Sequence, residues 1–456
     1  IITIAEETKM RMAKKLVAVV LAVVLVVCAF AGCANSGGSK STEKKGMSAD
    51  VIARADIKSD VTVPKDFKIG LICLHDENST YDKNFIDAMK STASGMGLSD
   101  EQVVIVTNIP ETGSDCYDAA VDLAKNKKCN VIFADSFGHE SNLLKAAKEY
   151  PDVQFCHATG TSAKTAGVKN FHNAFAAIYE GRYVAGVAAG IKLNEMIKEG
   201  KITADQAVIG YVGAFTYAEV ISGMTSFYLG AKSVCPSATM KVRYTGSWYD
   251  QALEQEAATS LIEQDKCVLI SQHADSLGAP TACELKGVPN VSYNGSTYEA
   301  GKNTFIISSA INWAPYFQLI IENTVKGEEI PTNWVGTIAT NSVVLSGVNQ
   351  DVVDGDSTVA ELNKVIDQLN AGTLHVFDVN NFTVTVDAKN KLNANAKVDK
   401  NKHLTEYMAD IDGDYVGDTN VVHDGYFDES GDSFRSAPYF DIIIDGITNI
   451  NTNYGG

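Results

Sequence analysis

The sequence contains no Cys-x-x-Cys pair and no cluster of cysteine and histidine at zinc-ligand spacing. A dithiol redox motif and a structural zinc site are therefore not expected. It also has no His-Glu-x-x-His, no Gly-x-Ser-x-Gly and no dinucleotide glycine fingerprint, so the common hydrolase and dehydrogenase chemistries have no anchor in it. Gly295 to Asn303 has the outline of a phosphate loop, but its spacing is one residue too long, and Asn303 stands where a magnesium-binding hydroxyl is required. Basic charge is scarce: 38 Lys and Arg against 56 Asp and Glu leave a formal charge of −18. Nucleic-acid backbones need a basic face, so no nucleic-acid partner is expected. There is no internal repeat and no long low-complexity block. No cofactor and no metal are called for.

What is present is an ordinary globular composition, 45% hydrophobic and 21% charged over 456 residues. That length allows two lobes and an extension, each with a core of its own. Residues 1–48 read as a leader and tether. Met10 to Lys15 is basic, Leu16 to Gly32 is apolar, and small residues precede Cys33, the layout of a secretory signal. Its Ala-Gly-Cys ending resembles a bacterial lipoprotein signal, in which Cys33 is lipidated and anchors the mature chain in the membrane. Ala34 to Gly46 is a polar, flexible tether. Four of the nine cysteines, Cys73, Cys129, Cys156 and Cys267, lie in or beside apolar strand-like runs and read as small core residues; disulfides are not assignable.

From Phe67 short apolar runs alternate with amphipathic segments. Strands are predicted at Lys68 to Leu74, Val103 to Val106, Asn130 to Ala134 and Val153 to His157, with helices at Asp82 to Gly97, Asp115 to Lys125 and Glu140 to Glu149. A second series follows the small-residue helix Tyr179 to Gly190, with strands at Ala207 to Val212, Met240 to Tyr244, Cys267 to Ser271 and Asn290 to Tyr293. Regular alternation of this kind predicts an α/β fold of two parallel-sheet lobes with a cleft between them. The expected division is a first lobe over 49–175, completed by about 299–330, a second over 176–298, and an extension over 331–456 packing on both.

In such sheets ligands bind at the carboxyl ends of the strands. Tyr244 to Ser276 delivers Trp248, Asp250, His273 and Asp275 to one edge, with Gly246 in the turn before Trp248. Asp250 stands at a helix start, and His273 has no nucleophile or metal set beside it. Asp275 has two readings: a cap on the next helix, or an acceptor for a ribose diol or a purine N–H. On the first lobe Asp76 and Asp135 follow strands, and Ser136 and Phe137 share the Asp135 loop; Phe215 occupies the matching loop of the second. Asp410 to Asp418 has the carboxylate density of a calcium loop, but its glycine is misplaced and no glutamate closes it, so it reads as a solvated acidic turn.

Five ordered segments within Phe67 to Lys326 resemble one family. They are Asp82-Lys-Asn-Phe85, Tyr183-Val-Ala-Gly-Val-Ala-Ala-Gly190, Ile209-Gly-Tyr-Val-Gly213, Gly246-Ser-Trp248 and Gln272-His-Ala-Asp-Ser276. They are similar to motifs of the basic membrane protein family, the substrate-binding lipoproteins of purine nucleoside ABC importers. The resemblance implies a type I periplasmic-binding fold that closes around a purine nucleoside or free base and hands it to a membrane permease. It places the family's stacking phenylalanine on Phe85, with Ile86 in the position of the neighbouring asparagine. Trp248 replaces a phenylalanine of some members, a variant associated with adenine-type ligands. Phe85 and Trp248 are thus expected to stack, and Asp76, Asp135 and Asp275 to accept hydrogen bonds. A sugar or signalling-molecule receptor would use the same fold, and a hydrolase is the remaining class; the binding reading expects no enzyme activity.

Overall fold

The computed structural model describes residues 44–451, except 388, 390 and 431–433. The expected signal segment and Cys33 lie outside the described residues. From Ile69 the chain alternates strands with helices: β1 (Ile69–Ile72), α1 (Thr80–Gly95), β2 (Val103–Val106), α2 (Asp115–Lys125), β3 (Val131–Ala134), α3 (Glu140–Glu149), β4 (Gln154–Ala158), the short α4 (Ala163–Ala166) and β5 (Phe171–Ala176). β1 and β3 are continuous apolar runs buried at every residue, as strands covered on both faces must be. α1 starts two residues earlier than its apolar spacing predicts, because Ser79 caps it by accepting the Asp82 N–H.

α5 (Ile178–Lys198) opens the second series and lies against α6 (Ala218–Val234). Gly186 and Gly190 make that approach possible. A Cβ on the first would sit 2.1 Å from the Phe227 carbonyl, and one on the second 2.4 Å from that of Ala231. The series continues through β6 (Val208–Gly213), then β7 (Thr239–Tyr244), α7 (Gln251–Glu263), β8 (Leu269–His273), α8 (Gly278–Lys286), β9 (Asn290–Tyr293) and β10 (Phe305–Ile311). After β10 come α9 (Ala314–Lys326), β11 (Asn333–Gly336), β12 (Val343–Leu345) and α10 (Gly355–Asn370).

Two sheets result, ordered β11-β5-β4-β3-β1-β2 and β12-β10-β9-β8-β6-β7, the second continued beyond β7 by the strand Ile447–Asn449. All pairs are parallel except β10 with β12. The sequence expectation needs two corrections. Phe305–Ile311 does not return to the first lobe; it is buried at all seven residues and pairs with the edge of β9. Only α9 returns, because Trp313 and Phe317 close an aromatic cluster with Phe85 and Phe133. Nor does the extension merely pack on the lobes: β11 completes the first sheet, and β12 and Ile447–Asn449 flank the second. The seven cysteines among the described residues, the four expected core positions included, are buried and unpaired.

Candidate ligand-binding cleft

Strand order reverses in each sheet, between β1 and β3 in the first and between β6 and β8 in the second. Such switch points open a crevice at the strand carboxyl ends, and here the two crevices face each other. The lobes are in contact across the gap. The Thr80 N–H donates to the Asp275 carbonyl at 2.9 Å, the Asn84 amide donates to Asn294 Oδ1 at 3.3 Å, and the Phe137 and Tyr217 rings stack with centroids 5.1 Å apart. Between them lies a narrow cavity of about 20 Å³, room for little more than a water molecule while the lobes are this close.

From the first lobe the cavity is lined by Leu74 and His75 after β1, Tyr81 and Asp82 on α1, Ser136 and Phe137 after β3, and Thr159 after β4. The second lobe contributes Glu219 on the first turn of α6, Trp248 after β7, His273 and Asp275 at the end of β8, and Tyr293 at the end of β9. Neither Lys nor Arg lines it among the described residues.

Four of the nine candidate positions, Ser136, Phe137, Trp248 and Asp275, therefore line the cavity. Trp248 is held edge-on against Phe215, centroids 4.9 Å apart. Its turn depends on Gly246, whose φ of +75° is costly for any residue with a Cβ. Asp275 is not a helix cap. Its backbone N–H donates to the Trp248 carbonyl at 2.9 Å, and the Ser276 hydroxyl oxygen accepts the Gly278 N–H instead. Burial, followed by the charges of Glu254, Asp82 and Glu219, pushes the Asp275 carboxyl well above its ordinary pKa. Asp250, by contrast, caps α7 by accepting from Ala252 and Leu253.

The other five do not line the cavity, each for a physical reason. Phe85 is fully buried; it stacks on Trp313 at 4.4 Å and meets the edge of Tyr81 at 4.9 Å. Tyr81, one turn before Phe85 on the same face of α1, lines the cavity, and Phe85 lies behind it against Trp313. Asp76 folds back on its own loop, accepting the Asn78 N–H at 3.0 Å and the Asn78 amide at 2.7 Å. Asp135 is buried behind the wall, where it accepts the Leu74 N–H at 3.1 Å; burial and the Asp82 charge raise its pKa well above normal. Phe215 backs Trp248, and Gly246 shapes the turn.

Several lining residues had no role assigned from sequence. Burial alone would raise the Asp82 carboxyl, but hydrogen bonds from His75 and Ser79 overcome it and hold its pKa below the ordinary value. Asp82 is therefore an ionised, internally satisfied wall. His273 is buried, with both ring nitrogens beyond hydrogen-bond reach of any partner; Glu219 Oε1 lies 3.7 Å from its Nε2. Its ring packs 4.2 Å from that of Tyr293, whose buried hydroxyl also lacks a partner. Burial lowers the His273 pKa against the pull of Glu219. Unpaired polar atoms are rare in finished interiors, and both residues line the cavity. The position of Tyr293 at a predicted strand end was a usable signal; Glu219, on a helix first turn, offered none. Elsewhere, Asp410 accepts the Gly413 N–H at 2.8 Å and pairs with Arg435 at 3.3 Å, so the acidic turn is held partly by its own hydrogen bonds.

Comparison with known proteins agrees with this architecture. Two solved ABC transporter solute-binding proteins share the fold. That of Conexibacter woesei has a TM-score of 0.55 at 20% identity, covering 68% of this chain and 98% of its own. That of Aeropyrum pernix has a TM-score of 0.56 at 13% identity, covering 71% and 94%. Among curated relatives, the putative ABC transporter glucose-binding protein TsgA13 of Haloferax volcanii is 33% identical over 52% of this chain and 58% of its own length. A purine-binding protein of Brucella abortus is 35% identical over 44% and 54%. The chain thus spans about half the length of the curated relatives it matches. The sequence model for the Bmp family, ABC transporter substrate-binding protein PnrA-like, matches residues 71–337, more than half of the chain, and the chain belongs to that family.

Proposed function

We propose that this protein is the extracytoplasmic solute receptor of an ABC importer, anchored through a lipid on Cys33, and that it closes on a purine nucleoside or purine base. The observation that carries this reading is the inner cavity: a flat indole, Trp248, stands beside the unpartnered polar atoms of His273 and Tyr293, with no lysine or arginine in the lining among the described residues. Stacking on an indole suits a planar base. The Asp275 carboxyl suits N–H and hydroxyl partners, whereas a phosphate would meet the ionised Asp82 with no lysine or arginine beside it, so a nucleoside or base fits better than a nucleotide. The purine-binding relative supports the choice. Opening and closing of the lobes would turn on the segments that leave the sheets near Ala176, Ile311 and Gly336, in the manner of hinge closure around a ligand. No nucleophile and base pair is assembled in the cavity among the described residues, and the reading is binding without catalysis.

A sugar is the second reading, favoured by the glucose-binding relative and by the same indole and carboxylates. Titration with adenosine, guanosine, inosine, adenine, ribose and glucose, followed by tryptophan fluorescence, separates the two. Of the three tryptophans, Trp313 is buried in the first-lobe core and Trp334 packs on Tyr316, so Trp248 is the one at the cleft. A response to purines and none to sugars is expected. Silence with every purine, or release of free adenine from adenosine, rejects the proposal.

A further inference from the structure

Beyond the Phe137 and Tyr217 stack the cleft opens into a second space of about 210 Å³. Phe137, Thr159 and Glu219 line both spaces, so the second is an outward continuation of the first. Its outer wall is Tyr415, Arg435, Ala437 and Pro438, all beyond residue 337, where the family match ends. The wall is built rather than incidental. Gly413, at φ +77°, lets the Asp410 to Asp418 turn press on the first lobe, since a Cβ there would lie 1.9 Å from the Thr161 carbonyl. Glu140 holds that same loop by accepting the N–H groups of Thr161 and Ser162, each at 2.8 Å. The Arg435 guanidinium ties the turn to the following segment, donating to Asp410 at 3.3 Å and to the Pro438 carbonyl at 2.9 Å. On the second lobe, Glu429 accepts a hydrogen bond from Ser222 of α6.

The chemistry of this chamber is specific. Phe137, stacked on a Tyr217 that Phe215 covers from its other side, lines the chamber with an aromatic ring, Tyr415 is left 87% exposed at φ +65°, and Glu140, Glu219 and the threonines offer oxygen acceptors and hydroxyls. Its one cation is occupied by Asp410 and main-chain carbonyls among the described residues. Aromatic faces flanked by carboxylates suit a hydroxylated ring and not an anion.

We propose that the extension builds an outer subsite on the cleft, taking a glycosyl-like, hydroxylated part of a solute larger than a nucleoside whose ring system sits in the inner cavity. This rests on the purine reading for the inner cavity only. The test is saturation-transfer NMR with D-glucose as a probe of the outer chamber, on protein with and without saturating adenosine, beside calorimetric titration of adenosine. Two variants separate the chambers: Ala437→Trp, which fills the outer one, and Tyr415→Gly, which removes the ring at a backbone conformation glycine favours. Saturation transfer to glucose that persists with adenosine bound, and falls at least about fivefold in both variants, with adenosine affinity within about twofold of wild type, is the expected result. Absence of transfer, transfer abolished by adenosine, or transfer equal in wild type and Tyr415→Gly overturns the outer subsite. Failure of adenosine to bind rejects the purine reading, whereas the glucose arm without adenosine still reads the chamber.

Discussion

The two faces of the cleft are built on the same strand-end geometry yet are left in opposite states. On the first lobe Asp76 is closed on Asn78, Asp82 on His75 and Ser79, Phe85 lies in the core against Trp313, and the unpartnered Asp135 Oδ2 sits behind the cavity wall. On the second, His273 and Tyr293 carry buried polar atoms with no partner, Asp275 is held protonation-prone by burial and neighbouring carboxylates, and Trp248 lines the cavity. The first face is a finished wall. The second is the one that needs a ligand, because a buried polar group without a partner is costly until one arrives.

The comparison breaks most visibly at the aromatic pair. Phe85→Ala should cost about 3–5 kcal/mol of folding stability, the cost of emptying a packed aromatic site, with the dissociation constant of the folded protein changing little; chemical denaturation beside calorimetry reads both. A large loss of affinity with unchanged stability would return Phe85 to the cleft. Trp248→Ala should do the reverse, weakening a purine by about 1–3 kcal/mol, the range for a base stacked on an aromatic ring. Loss of the fluorescence response in that variant is a second readout.

The carboxylates sharpen the contrast through pH. Because the free Asp275 carboxyl titrates above its unfolded value, its contribution to stability is present below the ordinary carboxylate range and is lost as pH rises through the raised value. A solute that donates to the carboxylate reverses that shift, so binding should release a proton and tighten as pH rises. Calorimetry in buffers of different ionisation enthalpy measures the release, and Asp275→Asn should abolish it and weaken binding by about 1.5–3 kcal/mol. Asp82, already held ionised, should contribute no such dependence. The smallest effect is expected at Asp76: Asp76→Ala should leave affinity within about twofold and the denaturation midpoint nearly unchanged, as for a surface change.

Much of this was legible in the chain. Apolar runs of strand length, separated by amphipathic helical spacing, placed the parallel strands of both lobes, and the Gly-Ser-Trp turn and the Asp275 strand end reached the cavity as expected. Phe85 was misread because it shares its helix face with Tyr81, one turn earlier, and how deep each sits is set by Trp313, more than two hundred residues away, which covers Phe85 and leaves Tyr81 at the cavity. Asp76 and Asp135 were placed correctly in the loops, but which partner a carboxylate takes is settled by neighbours distant in sequence or by backbone closure, and spacing records neither. Glu219 and His273 meet only because α6 and β8 fold together.

What the sequence alone determined was local: which segments are strands, which strand ends carry polar and aromatic side chains, and, through its motifs, the family. Those follow from periodicity and from turn chemistry, which act over a few residues. Only the tertiary structure decided which strand ends face each other, which aromatic is core and which is cleft, and that residues beyond 337 wall the outer chamber. These depend on contacts between segments hundreds of residues apart, such as Gly413 against Thr161, and packing at that range leaves no periodic trace in the chain.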